Sequence, residues 1–183
     1  MTWSYQKDTR HKVFLSYYHY DDQYYRDRFE ALFRHLFINK SVEPGDINTD
    51  VSAEYIKRLI QENYISDASI VLVLVGKNTK DRKHVDWEIS AGLDKKVGGN
   101  YSGLLGILLP DFPLSSENKY SYDDIPPRLA DNVKTGYAEI YAWNGVCIDD
   151  SRINVAIESA FTRRINGSGR IDNSRPQFSN NRS

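Results

Sequence analysis

Two stretches of the chain hold side chains with chemical capacity. In Phe14-Leu15-Ser16-Tyr17-Tyr18-His19-Tyr20-Asp21-Asp22 an apolar run ends in a hydroxyl, aromatic rings and acids. If that run is a strand feeding a helix, small polar groups arrive at a helix N-terminus, a setting that suits a ribose or a diphosphate. In Lys83-His84-Val85-Asp86-Trp87-Glu88-Ile89-Ser90-Ala91-Gly92 a carboxylate sits between Trp87 and Ile89 near the start of a helix. An ionised carboxylate in a crevice stabilises a developing cation; the same acid also suits a solvated first turn, where negative charge is favoured. Taken alone, the tyrosines of the first stretch fit local packing and hydrogen bonding better than they fit a ligand.

Other chemistries lack their residues. There is no GxGxxG after the first strand, no GxxxxGK[ST] and no GxSxG elbow around Ser16. The central apolar run continues into Gly76-Lys77-Asn78, without the aspartate a phosphoacceptor needs. Four scattered histidines, His11, His19, His35 and His84, make no metal-ligand spacing, and Cys147 is the only cysteine, so no metal is expected. That cysteine reads as an inert core thiol and suits a reducing compartment. A sugar-nucleotide hydrolase would need a second carboxylate beside Glu88, for which Asp22, Asp50 and Asp86 are the candidates.

To bring the two stretches together, the chain must fold so that both lie at one end of a sheet. Val13 to Tyr17 reads as a strand, and the helix after it places Tyr25, Phe29, Leu32, Phe33, Leu36 and Phe37 on one face, with Asp21 and Asp22 at its start. Residues 39–50, with Pro44-Gly45-Asp46, read as a loop with at most a very short edge strand. A helix then begins near Ser52, capped by Ser52 or Asp50. Ile70 to Val75 is six apolar residues without alternation, the mark of a central strand covered on both faces. A helix over 84–96, a buried strand over 102–109, a long connection over 111–136 with a short helix near 125–132, a strand over 137–143 and a closing helix over 149–165 complete the pattern. This alternation predicts an α/β fold with a doubly wound parallel sheet, whose ligands bind beyond the carboxyl ends of the strands.

The 183 residues fit one domain: an N-terminal extension over 1–11, a folded unit over 12–166, and a tail over 167–183 expected to be disordered because it has little to bury. Apolar residues make up 40%, enough for one core, while 24 basic against 25 acidic residues leave a net charge of -1. No field favours a nucleic acid partner. The longest apolar runs are too short to span a bilayer, so no membrane partner and a cytoplasmic location are expected.

Phe14-Leu15-Ser16-Tyr17 with Asp22, then Ser66-Asp67-Ala68-Ser69 running into Ile70–Val75 and Gly76-Lys77-Asn78-Thr79, then Val85-Asp86-Trp87-Glu88-Ile89, resemble the TIR-like domains of Thoeris antiphage systems. The resemblance covers about Lys12 to Leu109. It implies a flavodoxin-like fold and an enzyme that takes NAD as substrate, with no separate cofactor. It implies cleavage of the nicotinamide–ribose bond and a cyclic ADP-ribose type of product, a diffusible signal to an effector protein. It also implies a phage-derived trigger and self-association through TIR surfaces. The family's catalytic glutamate maps onto Glu88, and its crevice maps onto Ser16, Tyr17, His19, Asp50 and Trp87 as substrate-binding residues. Many TIR NADases carry Trp-x-x-x-Glu, whereas here Trp87 directly precedes Glu88. The rival is a non-catalytic TIR interaction module in which Glu88 is surface charge.

Overall fold

In the computed structural model, residues 9–42, 52–95, 97–117 and 119–182 are described. Five strands, β1 (His11–Ser16), β2 (Phe37–Asn39), β3 (Ile70–Val75), β4 (Gly103–Leu108) and β5 (Ala138–Ala142), form one sheet in the order β2-β1-β3-β4-β5. Every pairing is parallel. The helices are α1 (His19–Phe33), α2 (Ala53–Asn63), α3 (Lys83–Gly92), α4 (Pro127–Lys134), α5 (Trp143–Val146) and α6 (Asp150–Asn166). This is the flavodoxin-like doubly wound arrangement expected from the alternation.

Successive strand residues point to opposite faces, and the two cores divide accordingly. Phe14, Val71, Val73, Val75, Leu104 and Leu108 pack with Ile60 of α2, Val85 and Ile89 of α3 and Leu129 of α4. Val13, Leu15, Ile70, Leu72, Leu74, Leu105 and Ile107 pack with Phe29 and Phe33 of α1, Trp143 of α5 and Ile153, Ala156, Ile157 and Ala160 of α6. All six residues of β3 are buried, because both faces of the central strand are covered.

Caps set the helix starts: Ser52 Oγ accepts from Tyr55 N at 3.3 Å, and Asp149 Oδ1 accepts from Arg152 N at 2.9 Å. Asp50, the other candidate cap, lies outside the described residues. Two expectations are corrected. Helix α1 stops at Phe33, and Phe37, expected on its apolar face, instead opens edge strand β2. An apolar residue two turns on satisfies a helical period, yet the same ring serves the same core from a strand, where the Phe29 and Phe37 rings meet at a tilt with centroids 5.8 Å apart.

The larger correction concerns residues 167–182, which are ordered. After a 3-10 turn at Ser168–Arg170 the segment, without helix or strand, runs against α4 and α3 as a strap. Its anchors are mostly polar, as the composition requires. Asn132 Nδ2 donates to Asp172 O at 2.7 Å, Arg175 forks onto Asp131 at 2.8 and 3.0 Å, and Phe178 is buried. Counting apolar residues missed an ordering mechanism built from hydrogen bonds.

Candidate functional site

The functional end of the molecule follows from strand alternation. Ser16 is in step with Phe14, so its hydroxyl faces the α2–α4 side, and Tyr17, in step with Leu15, turns to the α1–α6 side. Ser16 Oγ therefore meets Glu88 and donates to Oε2 at 2.6 Å; both residues are buried, Glu88 at 5% exposure. Two residues called from different stretches of sequence thus meet in one contact.

Helix α3 is buried from Val85 through Gly92. Val85 and Ile89 face the sheet, while Asp86 and Ser90, one turn apart, face α4 and the strap. Arg128 of α4 forks onto Asp86 at 2.9 and 3.3 Å, and Phe178 N donates to the same carboxylate at 2.9 Å. Asp86 is therefore structural. Trp87 donates from Nε1 to Phe178 O at 2.8 Å, has the ammonium groups of Lys57 and Lys83 at 5.2 and 5.3 Å, and meets His84 edge-on at 5.1 Å.

Lys57, Ile60, Gln61 and Ile65 join His84, Trp87 and Glu88 around a cavity of about 10 Å³. That is about one water's worth of space, far below the ~300 Å³ of small ligand sites. The carboxylate is shut in. Burial pushes the Glu88 carboxyl up to about 8, and the hydrogen bond from Ser16 only partly offsets it. At neutral pH the closed site holds its acid mainly as the protonated, uncharged form.

The carboxyl ends of β1 and β3 are closed by contacts between α1 and the loop after β3. Asn78 Nδ2 donates to Asp21 at 2.7 Å, Thr79 Oγ1 donates to Asp22 at 3.1 Å, and the Arg82 guanidinium lies 4.3 Å from the Tyr18 ring centre. Asp22 is fully buried, and burial raises its carboxyl to about 6. Its Oδ1 has no hydrogen-bond partner among the described residues and rests against Gly76, where a Cβ would lie 2.3 Å from it. A side chain at position 76 would collide with that carboxylate.

The remaining expected site residues are placed as follows. Tyr17 is 3% exposed, donates its hydroxyl to Gln23 at 2.8 Å and stacks on His19 at 4.2 Å. It is a core wall on the other side of the sheet from Glu88. His19 is exposed at the start of α1. Asp50 lies outside the described residues. Lys57, Gln61 and the strap residue Phe178 were missed from the sequence; the amphipathic spacing of α2 signalled its buried face, but nothing signalled the polar residues at its lip.

Among the described residues no three His, Cys, Asp or Glu side chains stand together as metal ligands, and no helix is long and apolar enough to cross a membrane. Cys147 is partly buried, and burial raises its thiol to about 12, so it is a poor nucleophile.

No curated protein matches the chain. Among solved structures, the TIR domains in the structure of the activated Roq1 resistosome directly recognizing the pathogen effector XopQ align over 86% of this chain and 84% of that one, at 15% identity and a TM-score of 0.41. Residues 14–112, more than half of the sequence, match the family described as "Thoeris protein ThsB, TIR-like domain". The stretch runs from the strand that carries Ser16 through the helix that carries Glu88, and this chain belongs to that ThsB TIR-like family.

Proposed function

We propose that this chain cleaves the bond between nicotinamide and ribose in NAD and makes a cyclic ADP-ribose-type signal in antiphage defence, with Glu88 as the catalytic carboxylate. The observation that carries the reading is the Ser16–Glu88 contact: a buried carboxyl with a strongly raised proton affinity, within the stretch matched to the family.

The chemistry asks little of the protein. The C1′–N bond breaks with its electron pair leaving on nicotinamide, which departs neutral, so no general acid is required. Positive charge develops on the ribose, and an ionised Glu88 facing it lowers the barrier. A hydroxyl of the adenosine half then bonds to C1′ and gives up its proton to Glu88 or to water. Capture by water instead yields linear ADP-ribose. Trp87 supplies aromatic surface beside the carboxylate, a role that Tyr17, turned to the other side of the sheet, does not share. NAD is the substrate; the scheme needs no resident cofactor or metal. The product reaches a separate effector by diffusion through the cytoplasm, a phage-derived trigger starts the reaction, and TIR surfaces support self-association.

A second reading has its own observation. The cavity at Glu88 is too small for a nucleotide, and Tyr20 and Tyr24 are 87% and 64% exposed on α1, which suits a non-catalytic interaction module. Expression with phage challenge separates the two. Nicotinamide and ADP-ribose species, followed by mass spectrometry in wild type and Glu88→Gln, should show a cyclic product that the variant lacks. Untouched NAD in both, with the challenge confirmed, would sink the enzyme reading and leave the module.

A further inference from the structure

The strap ties together the two helices that bound the Glu88 cavity. Its carbonyl at Phe178 accepts a hydrogen bond from Trp87 Nε1, Gln177 Oε1 accepts one from Lys57 Nζ on α2, and Asn181 Oδ1 accepts from the Lys83 backbone N–H in the first turn of α3 at 3.0 Å. Gln177 Nε2 also donates to Ser90 at 2.9 Å, and Phe178 is clamped under the Arg182 guanidinium at 3.9 Å. Lys57 and Trp87 are both walls of the cavity, so the strap holds its lip from both sides.

Beside the closed cavity lies an open groove of about 610 Å³, lined by Ser52, Tyr55, Lys57, Arg58, Gln61 and Gln177 among others. A groove of that volume is within the range of small-molecule sites. Lys57 and Gln61 line both spaces, and the Lys57–Gln177 contact stands at the boundary between them. The groove also offers two cations, Lys57 and Arg58, against one acid, Glu54, to a phosphate-bearing ligand.

We propose that residues 171–182 act as an internal latch: the strap's acceptor groups occupy the donors Trp87 Nε1, Lys57 Nζ and Lys83 N–H, and a nucleoside diphosphate reaches Glu88 only when they let go. The strap and an acceptor-rich nucleotide compete for the same donors, so anything that lifts the strap joins the groove to the cavity. The nucleotide half of this statement rests on the proposed NAD chemistry; the latch half concerns only access to Glu88. Hydration of the opened cavity also lets the Glu88 carboxyl ionise, so opening supplies both room and charge.

Two variants test it in the full chain. Gln177→Ala alters an exposed side chain and should leave the melting temperature at the wild-type value, while Phe178→Ala removes the buried ring of the strap. Amide exchange of 171–182 reports whether the strap has loosened. Carbodiimide labelling of Glu88, read by peptide mass spectrometry, reports access to the carboxyl without any need for activity. We expect faster strap exchange in both variants, a modest rise in Glu88 labelling for Gln177→Ala and about tenfold or more for Phe178→Ala, as the open state gains population. Faster strap exchange with Glu88 labelling fixed at the wild-type level overturns the latch, as does unchanged strap exchange in both variants. Nicotinamide release from the loosened proteins is the separate arm. If Glu88 becomes accessible but neither these variants nor phage-challenged wild type releases nicotinamide, the latch stands and the NAD reading falls.

Discussion

Glu88 carries a thermodynamic signature that can be read without any substrate. Its carboxyl titrates near 8 in the folded protein against 4.5 as an ordinary glutamate, so between those values the folded state holds a proton that the unfolded state has released. Stability therefore falls as pH rises through that window and levels off above it. Glu88→Gln removes the titration while a side-chain oxygen remains to accept from Ser16. The variant should gain on wild type between pH 5 and pH 8, by on the order of a few kcal/mol at the upper end. Urea unfolding at pH 5, 6.5 and 8 checks this, and parallel stability curves would contradict it. Asp22, raised to about 6, adds a similar but smaller fall at lower pH that the substitution leaves in place. Ser16→Ala acts on the same acid in the opposite sense. Losing a hydrogen bond to the ionised carboxylate raises its proton affinity further, so the rising limb of nicotinamide release against pH should move up by about one unit. A lower rate with an unmoved limb would assign Ser16 to positioning alone.

Elements were legible where a physical signal is one-dimensional. Ile70–Val75 announces a doubly covered strand by lacking alternation, and Asp149 with Asp150 marks the start of α6. Glu88 and Ser16 are named from two separate stretches, whereas Tyr17, expected in the same crevice, lies on the opposite face because the alternation of β1 continues past Ser16. What stayed hidden depends on pairings between distant segments. Asp22 and Gly76 are 54 positions apart in number, yet the missing side chain of one makes room for the carboxylate of the other. Gly76→Ala would drive its Cβ into Asp22 and push α1 from the end of β3, with an expected loss of about 1–3 kcal/mol. The partner substitution Asp22→Ala vacates that space, so the double variant should be clearly less unstable than the sum of the two singles. Additive losses, measured by chemical unfolding, would mean that the glycine is needed for its backbone and not for the acid.

At the scale of the whole molecule, the Asp86–Arg128 pair joins α3, α4 and the strap. Both side chains are buried, and Arg128 also donates to Asn173 Oδ1 at 2.8 Å and to Pro176 O at 3.3 Å, so one guanidinium on α4 binds both α3 and the strap. Taking out one charge leaves the other buried without its partner, which is far more destabilising than removing both. Arg128→Met should therefore destabilise by about 3–5 kcal/mol and speed amide exchange in 171–182 and α3 together, because the strap loses two acceptor contacts as α3 loses its ion pair. Adding Asp86→Leu to that variant should recover part of the stability, since no buried charge then remains. It should not restore slow exchange in the strap, because Phe178 N has lost its acceptor and the two donors from Arg128 are still missing. Stability that recovers while the strap stays loose would show that the ion pair and the strap are held by the same side chains but by separable forces. Recovery of both would instead mean that the strap follows the packing of α3 against α4 and owes little to its own hydrogen bonds.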